Sequence, residues 1–315
     1  MDWFFIILTV FGLSLFEIVS SVDNAIINAE VLRKMSFWAR KWFLSWGILF
    51  AVFIIRGLLP LAIVWATNPR LGAMELTTIF LSQDPKMIAA FHTSSSLLLI
   101  GGGTFLVLLF LHWLFLEPKH YGLIGENLVE KYAVWFYAIA SIFLVALVWL
   151  AVQVHPLMAF SAALGYAVFF ITHGFKQNAE EIEKKMLRKS SGIGDISKIM
   201  YLEVIDATFS IDGVLGAFAF TLSVPLILIG NGLGAIVVRQ MTMANIENVK
   251  KYKYLKNGAM YSILFLGMFM ILESFGLDLP PWLSPVLTFA IIGYFFRKSV
   301  LELRASQARV SRRRA

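Results

Sequence analysis

The sequence contains no cysteine and few charged residues, and both shortages limit what the protein can be. Without cysteine, metal sites built on thiolate ligands are excluded, and nothing indicates the redox state of the compartment. Charged residues make up 15% of the 315 residues, whereas soluble domains carry about 25%. Hydrophobic residues make up 59%. A chain with this balance is expected to lie in a membrane.

The apolar residues are grouped into runs of about 20, the helix length that crosses a hydrocarbon core of about 30 Å. These runs predict an all-α membrane protein with about nine transmembrane helices. They form one domain over residues 1–305, followed by a basic tail over 306–315. The first run follows no basic segment, so it is interpreted as a permanent helix and not as a secretory signal. The predicted spans are 3–29, 43–65, 91–116, 134–154, 156–175, 199–222, 225–244, 257–275 and 282–300.

Lysine and arginine are concentrated in the loops after the first, fifth and seventh predicted spans and in the segment after the ninth. Basic loops stay on the cytoplasmic side of a membrane. The pattern therefore predicts an amino terminus outside and a carboxyl terminus inside a cell membrane, with the bacterial inner membrane expected. The same distribution explains the net charge of +7 as topology and tail contact with anionic lipid, so no nucleic-acid partner is expected.

Two acidic segments repeat one pattern. Glu17-Ile-Val-Ser-Ser-Val-Asp23-Asn24 lies in the first span and Asp206-Ala-Thr-Phe-Ser-Ile-Asp212-Gly213 in the sixth. An arginine follows in the next span of each copy, at Arg56 and Arg239. Because the copies are five spans apart, they predict two inverted three-helix repeats, over about residues 3–116 and 199–275. Inverted repeats are common in secondary transporters, with the substrate site near the membrane midplane.

Charges inside membrane helices are costly, at about 2.5–3.5 kcal/mol each on insertion scales. The repeated carboxylates are therefore predicted to be functional. Glu203, three residues before Asp206, has no counterpart in the first copy and is added as a further ligand. Arg56 and Arg239 are expected to pair with the acids and lock helices together, although a direct role in substrate binding is left open.

The carboxylates can converge on one cavity. Glu17 and Ser21 share a helical face, which Asn24 and Asn28 continue, and the second copy repeats the acid–serine pair. The second aspartate of each copy lies about 120° away. Unwinding beside it is expected to turn it toward the same cavity. The predicted ligands are Glu17, Asp23, Asn24, Glu203, Asp206, Ser210 and Asp212.

Such oxygen ligands favour Mg²⁺, Ca²⁺ or Mn²⁺ over soft metals. The carboxylates outnumber the charges of one divalent ion, so protons are a possible coupling ion. The remaining polar residues are interpreted more simply. His92, His112, His155 and His173 share no spacing and are predicted to be packing or interfacial residues. Gly101-Gly102-Gly103 is predicted to permit close helix contact. Two roles are possible for Asn231: it lines the cavity, or it weakens a helix.

The segments Glu17-Ile-Val-Ser-Ser-Val-Asp23-Asn24-Ala25 and Glu203-Val-Ile-Asp206-Ala-Thr-Phe-Ser-Ile-Asp212 resemble the TerC family of integral membrane proteins. The resemblance covers about residues 11–275. It implies a LysE-like transporter fold, with manganese export, tellurium resistance or metal loading of secreted enzymes as activities. It also implies Glu17, Asp23, Asn24, Asp206 and Asp212 as ligands, while Gly213 replaces a serine found in many members.

The leading hypothesis is a divalent metal-ion transporter, with Mn²⁺ efflux as its most specific form. The alternatives are a membrane partner that delivers metal to exported proteins, and a tellurite resistance factor that binds the oxyanion through its arginines. An intramembrane aspartyl protease is disfavoured because the glycine-framed aspartate motif of such enzymes is missing. No Ser/His/Asp set or phosphate-binding glycine motif is recognisable, so neither enzyme activity nor a prosthetic group is expected. The expected partners are the lipid bilayer, the metal ion and protons, with other membrane or secreted proteins as further possibilities.

Overall fold

The computed structural model describes residues 3–47, 85–123, 125–188, 194–244 and 251–314. These residues form helices, connected by short turns and loops, and no strand occurs among them. A π-helical segment over Phe43–Gly47 and a short 3₁₀-helix over Ala133–Trp135 accompany the α-helices. The α-helices are α1 (Trp3–Ser20), α2 (Val22–Leu32), α3 (Phe37–Trp42), α4 (Pro85–Leu116), α5 (Glu126–Lys131), α6 (Phe136–Val154), α7 (Pro156–Arg188), α8 (Asp195–Phe218), α9 (Val224–Ala244), α10 (Leu255–Ser274) and α11 (Leu283–Arg314).

Six of these helices are long and apolar enough to cross a membrane, so the protein is a multi-pass membrane protein. They are α1, α4, α6, α7, α9 and α10. The predicted second span falls mostly on residues 48–84, outside the described residues. The sixth and ninth correspond to α8 and α11, which carry more charge. The count of nine and the inverted repeat therefore stay predictions. Residues 306–314, expected as a tail, continue α11 as helix.

Helix α4 lies at the centre of the bundle and packs against α6, α7, α8 and α10. Its side chains Phe105, Leu106, Leu108 and Trp113 are almost completely buried. Helix α6 lies at the periphery, with large apolar side chains such as Ile142 exposed along its length. Exposed apolar surface of this extent fits contact with lipid tails, since hydrocarbon replaces water as its surroundings.

The three consecutive glycines of α4 bring its backbone against two neighbouring helices. A Cβ at Gly101 would lie 2.9 Å from the backbone oxygen of Ser161 in α7. A Cβ at Gly165 of α7 would lie 2.1 Å from the Gly101 oxygen, and one at Gly103 would lie 2.7 Å from the Gly267 oxygen of α10. The close packing predicted for these glycines is confirmed, because any side chain here would force the helices apart.

The two copies of the acidic motif differ in backbone. The first copy is interrupted at Ser21, which separates α1 from α2. The second runs through Asp212 and Gly213 without a break, and α8 continues to Phe218. The unwinding predicted beside Asp212 is therefore wrong. A single glycine costs a helix only about 1 kcal/mol, which packing readily offsets.

Polar contacts join loops that the sequence places on one side of the membrane. The Ser36 backbone N–H donates to Asp195 Oδ2 at 3.2 Å, so the segment after α2 lies beside the start of α8. Hydrogen bonding to Ser36 lowers the pKa of Asp195 below its usual value. Lys256 Nζ lies 2.8 Å from Glu117 Oε2, so the start of α10 lies beside the end of α4. These contacts fit the predicted alternation, while the inside and outside assignment stays a prediction.

A buried carboxylate organises the loop between α4 and α5. Glu126, 3% exposed, accepts hydrogen bonds from the backbone N–H groups of Gly122 (2.7 Å) and Leu123 (3.0 Å). It also accepts from the Tyr261 hydroxyl at 2.9 Å and from Asn257 Nδ2 at 3.3 Å. One side chain therefore ties this loop to α10.

We expect Gly165→Ala to destabilise the protein by about 1–3 kcal/mol, because the new methyl group overpacks the contact of α7 with α4. Gly174→Ala is the matched control on the same helix, since a Cβ at Gly174 meets nothing within 4 Å. It should be neutral or stabilising by up to about 1 kcal/mol. Thermal unfolding in detergent measures both, and equal unfolding temperatures would contradict the assigned backbone contact.

We expect Glu126→Gln to lower stability by about 1–3 kcal/mol, because an amide group cannot accept all four hydrogen bonds and turns a donor toward donors. Glu181→Gln, at an exposed position of α7, is the control and should unfold like the natural protein. Unfolding in detergent together with proteolysis between α4 and α5 checks the loop directly. Resistance to protease equal to that of the control would argue against the anchoring role.

Candidate functional site

The repeated acids lie where α1 and α2 meet α8 and α9. Glu17, 1% exposed, projects from α1 between two glycines of the other helices. A Cβ at Gly213 of α8 would lie 2.8 Å from Glu17 Oε2, and a Cβ at Gly234 of α9 would lie 2.6 Å from Glu17 Cβ. Glu17, the first acid of the first copy, therefore lies against Gly213, the last residue of the second copy.

Close contact of α1 with α9 forms this slot for Glu17. Gly230 and Gly234 are spaced as in the small-xxx-small pattern of membrane helix contacts. A Cβ at Gly230 would lie 2.5 Å from Leu13 Cβ, and the Ser14 hydroxyl donates to the Gly230 oxygen at 2.9 Å. The Ser21 hydroxyl then donates to Glu17 Oε1 at 2.8 Å. The acid–serine spacing predicted to share a face therefore forms a hydrogen bond across one helical turn.

Asp206 is held by two cross-helix partners. Asn28 Nδ2 of α2 donates to Asp206 Oδ1 at 3.0 Å, and Arg239 Nη2 of α9 lies 3.1 Å from Asp206 Oδ2. Arg239 also donates through Nη1 to the Phe43 oxygen at 2.6 Å, with its guanidinium 4.2 Å from the centre of the Phe43 ring. The ion pair and the cation–π contact stabilise a buried arginine. Asp206 consequently joins three segments of the bundle.

Glu203 lies next to this ion pair. It is 6% exposed, and a Cβ at Gly47 would lie 2.2 Å from Glu203 Oε1 and 3.2 Å from Arg239 Nη1. Neither carboxylate oxygen accepts a hydrogen bond from any residue that the structure describes. Glu203 is thus a buried carboxylate whose acceptor capacity is unused in the described part of the chain.

Asp212 has a basic partner that the sequence analysis did not single out. Lys176 Nζ of α7 lies 2.5 Å from Asp212 Oδ2, with both side chains 13% exposed. Asp212 Oδ1 has no hydrogen-bond donor among the described residues. Lys176 had been grouped with the basic loop after the fifth span. Helix α7 instead continues to Arg188, so that Lys176 lies inside a helix and not in a loop.

Two further polar side chains of the cluster behave differently. The Ser210 hydroxyl donates to the Asp206 backbone oxygen at 2.5 Å, within its own helix. Asn231, 1% exposed, has no hydrogen-bond partner for either amide atom within the described ranges. A buried amide without partners is costly and calls for an explanation. The helix around Asn231 is regular.

Several predicted site residues lie outside what the structure describes. Arg56 falls in the segment 48–84. Asp23 and Asn24 have helical backbone in α2, but their side chains are not described. In the described part, no group of three or more histidine, aspartate or glutamate side chains stands close enough to hold a metal ion. Metal binding by the predicted set therefore stays a prediction.

The cluster carries an excess of negative charge. Its described side chains include four carboxylates (Glu17, Glu203, Asp206 and Asp212) and two basic groups, those of Arg239 and Lys176. When all of them are ionised, the formal charge is −2. Among the described residues, Arg239 pairs with Asp206 and Lys176 pairs with Asp212.

Comparison with known proteins finds a partial match to a bacterial membrane protein. It is similar to the uncharacterized membrane protein RP786 of Rickettsia prowazekii, with 24% identity over 104 residues. The match covers 33% of this chain and 35% of that protein, so the chain spans about a third of the length of the curated relative. No solved structure matches the chain significantly.

The resemblance to the TerC family is wrong, because a different family model matches nearly the whole chain. The motifs that suggested it are short, and acid–serine spacing of this kind suits any pair of membrane helices with buried carboxylates. The implied LysE-like fold and tellurium resistance lose their support with it. Residues 22–306 match the family described as "Protein of unknown function (DUF475)", and the chain belongs to that family.

Proposed function

We propose that the protein is a membrane transporter for divalent cations, which bind in the acidic cluster between α1, α2, α8 and α9. The observation that carries this proposal is the set of buried oxygen atoms that have no hydrogen-bond donor within the described residues. They are both carboxylate oxygens of Glu203, Asp212 Oδ1, Asn28 Oδ1 and Asn231 Oδ1. A cation supplies the positive partner that such oxygens lack, whereas an anion or an apolar substrate does not.

The chemistry of these oxygens supports the same class of substrate, because carboxylate and amide oxygens are the ligands of hard cations. Asp206 uses both of its oxygens on Asn28 and Arg239, so its role in the proposal is to hold helices together. Glu203 and Asp212 retain open oxygens, but the continuous helix α8 separates them by nine residues, about 13 Å along its axis and about 180° around it. An ion that binds Asp212 is therefore not held by Glu203 as well.

Binding of the ion requires rearrangement at Asp212. Lys176 occupies one oxygen of this carboxylate, and an ammonium and a metal ion compete for the same negative charge. An ion that binds Asp212 therefore displaces Lys176 from this oxygen.

The oxygen ligands fit Mn²⁺, Mg²⁺ and Ca²⁺ alike. Mn²⁺ efflux is the most specific form of the proposal. Its test is a comparison of Mn²⁺ transport with transport of Mg²⁺ and Ca²⁺. Oxyanion transport through arginine is less well supported, because both terminal nitrogens of Arg239 have partners in Asp206 and Phe43. Its guanidinium serves the packing of α9 against α8.

We expect Glu17→Gln to reduce divalent-cation flux at least tenfold, a change of about 1.4 kcal/mol or more, because it removes one negative charge from the cluster. The glutamine side chain has nearly the same shape and keeps the slot between Gly213 and Gly234 filled. Uptake of Mn²⁺, Mg²⁺ and Ca²⁺ into proteoliposomes measures the effect, with Asp212→Asn as a second variant. Glu302→Gln, at an exposed ion pair, is the control and should transport normally. Unchanged flux in a folded Glu17→Gln protein would exclude the cluster as the site.

We expect Lys176→Gln to tighten cation binding about tenfold, because the competitor for Asp212 is gone. Turnover should fall at the same time, since release of the ion loses its replacement charge. Lys253→Gln removes a lysine from the exposed ion pair with Glu302 and provides the matched control. Calorimetric titration of the detergent-solubilised protein with Mn²⁺, Mg²⁺ or Ca²⁺ gives the affinities. Weaker binding in Lys176→Gln than in the control would contradict the competition.

A further inference from the structure

Two histidines from different helices lie in contact where α4 and α7 pack together. The rings of His112 in α4 and His173 in α7 have centroids 3.9 Å apart and planes at 54°. The sequence analysis interpreted both as packing residues because their positions share no spacing. Their contact depends on the crossing of α4 and α7, which the Gly101–Gly165 backbone approach fixes.

Aromatic side chains enclose the pair. The Phe136 ring of α6 lies 5.5 Å from the His112 ring at 87°, and the Phe169 ring stacks on His173 at 6.0 Å and 12°. His112 is 7% exposed. A site walled in this way has a low local dielectric, so a charge on one ring is felt strongly by its neighbour.

Charged groups reach the pair from several elements. Glu117, directly after α4, places Oε1 3.4 Å from His112 Nδ1, which is an ion-pair distance and long for a hydrogen bond. Burial raises the pKa of Glu117, but His112 and Lys256 outweigh this effect and hold the pKa well below its usual range. Of the charged groups that the structure describes, Lys176 of α7 also acts on His173, while Lys256 of α10 and Asp212 of α8 act on Glu117.

Glu117 therefore supplies a fixed negative charge for one proton on the pair. Repulsion between two imidazolium rings at this separation opposes a second proton. We propose that His112 and His173 together bind a single proton, opposite Glu117, and that this proton is the coupling ion of the transporter. Binding forms one N–H bond on a ring nitrogen and breaks one O–H bond of hydronium, which leaves water; release is the reverse.

The pair is connected to the acidic cluster through α7. Lys176 follows His173 by three residues on the same helix and holds Asp212. Positive charge on the histidines makes the surroundings of the cluster less favourable for a cation. A proton on the histidine pair therefore weakens cation binding at the cluster, and a bound cation weakens proton binding. A transporter that exchanges protons for cations requires this opposition. This step rests on the proposed function, whereas the shared proton does not.

Histidine NMR tests the shared proton without any transport assay. The chain has five histidines, so single substitutions assign every ring signal. Between pH 8 and 5 we expect His112 and His173 to take up one proton between them, and we expect His112→Gln to change the titration of His173. His120→Gln, at an exposed position, should change neither. Two full protons taken up independently, with His173 unaffected by His112→Gln, would overturn the proposal.

Flux measurements test the coupling. In the natural protein, the apparent affinity for Mn²⁺ should weaken at least tenfold from pH 8 to pH 5.5. The dependence should shrink to about threefold or less in both His112→Gln and His173→Gln. An unchanged pH dependence in these variants would overturn coupling by the pair. Absence of cation flux in the natural protein at every pH would instead reject the proposed function and leave the NMR result to decide on the proton site.

Discussion

The burial of carboxylates in a largely apolar bundle is the constraint on which the rest of this structure depends. A charge in a membrane interior persists only where partners from other helices compensate it. Asp206 meets this requirement through Asn28 and Arg239, and Asp212 meets it through Lys176. Each compensating contact crosses between helices, so the acids that cost most are also the points that hold the helices in register. Stability and function are therefore difficult to separate at these positions.

Glycine provides the space for this arrangement. Hydrocarbon surroundings give apolar side chains little reason to leave lipid for a neighbouring helix, so close backbone packing contributes much of the association. Glycines at 101, 103, 165, 230, 234 and 267 bring helices into backbone contact or leave room for Leu13 and Glu17. When two helix backbones lie this close, a polar side chain of one helix spans a shorter distance to its partner on the other. Without Gly234 and Gly213, Glu17 would have no room beside α8 and α9.

The sequence predicted the parts of the site that depend on local spacing. Apolar runs of sufficient length gave the helices, and the acid–serine spacing gave the hydrogen bond between Ser21 and Glu17. Contacts between helices were harder to foresee. The basic residues around Lys176 are typical of a loop, but α7 extends past this lysine to Arg188. The contact between His112 and His173 depends on where α4 and α7 cross, which sequence spacing does not show. Glycine weakens helices, so the sequence predicted unwinding at Gly213. In the structure the helix is regular there, and the missing side chain makes room for Glu17. The family assignment failed for a related reason, since a short motif carries less information than a match along the chain.

The uninterrupted course of α8 has a mechanical consequence. Glu203, Asp206 and Asp212 are fixed to one rod, so their spacing along the membrane normal is set by the helix and not by local unwinding. In the first copy the α-helix is instead interrupted at Ser21, between α1 and α2. Glu17 lies on one side of that joint and Asn28, the partner of Asp206, on the other. Tilting α1 against α2 would then widen the slot around Glu17 while Asn28 keeps α2 attached to the rod.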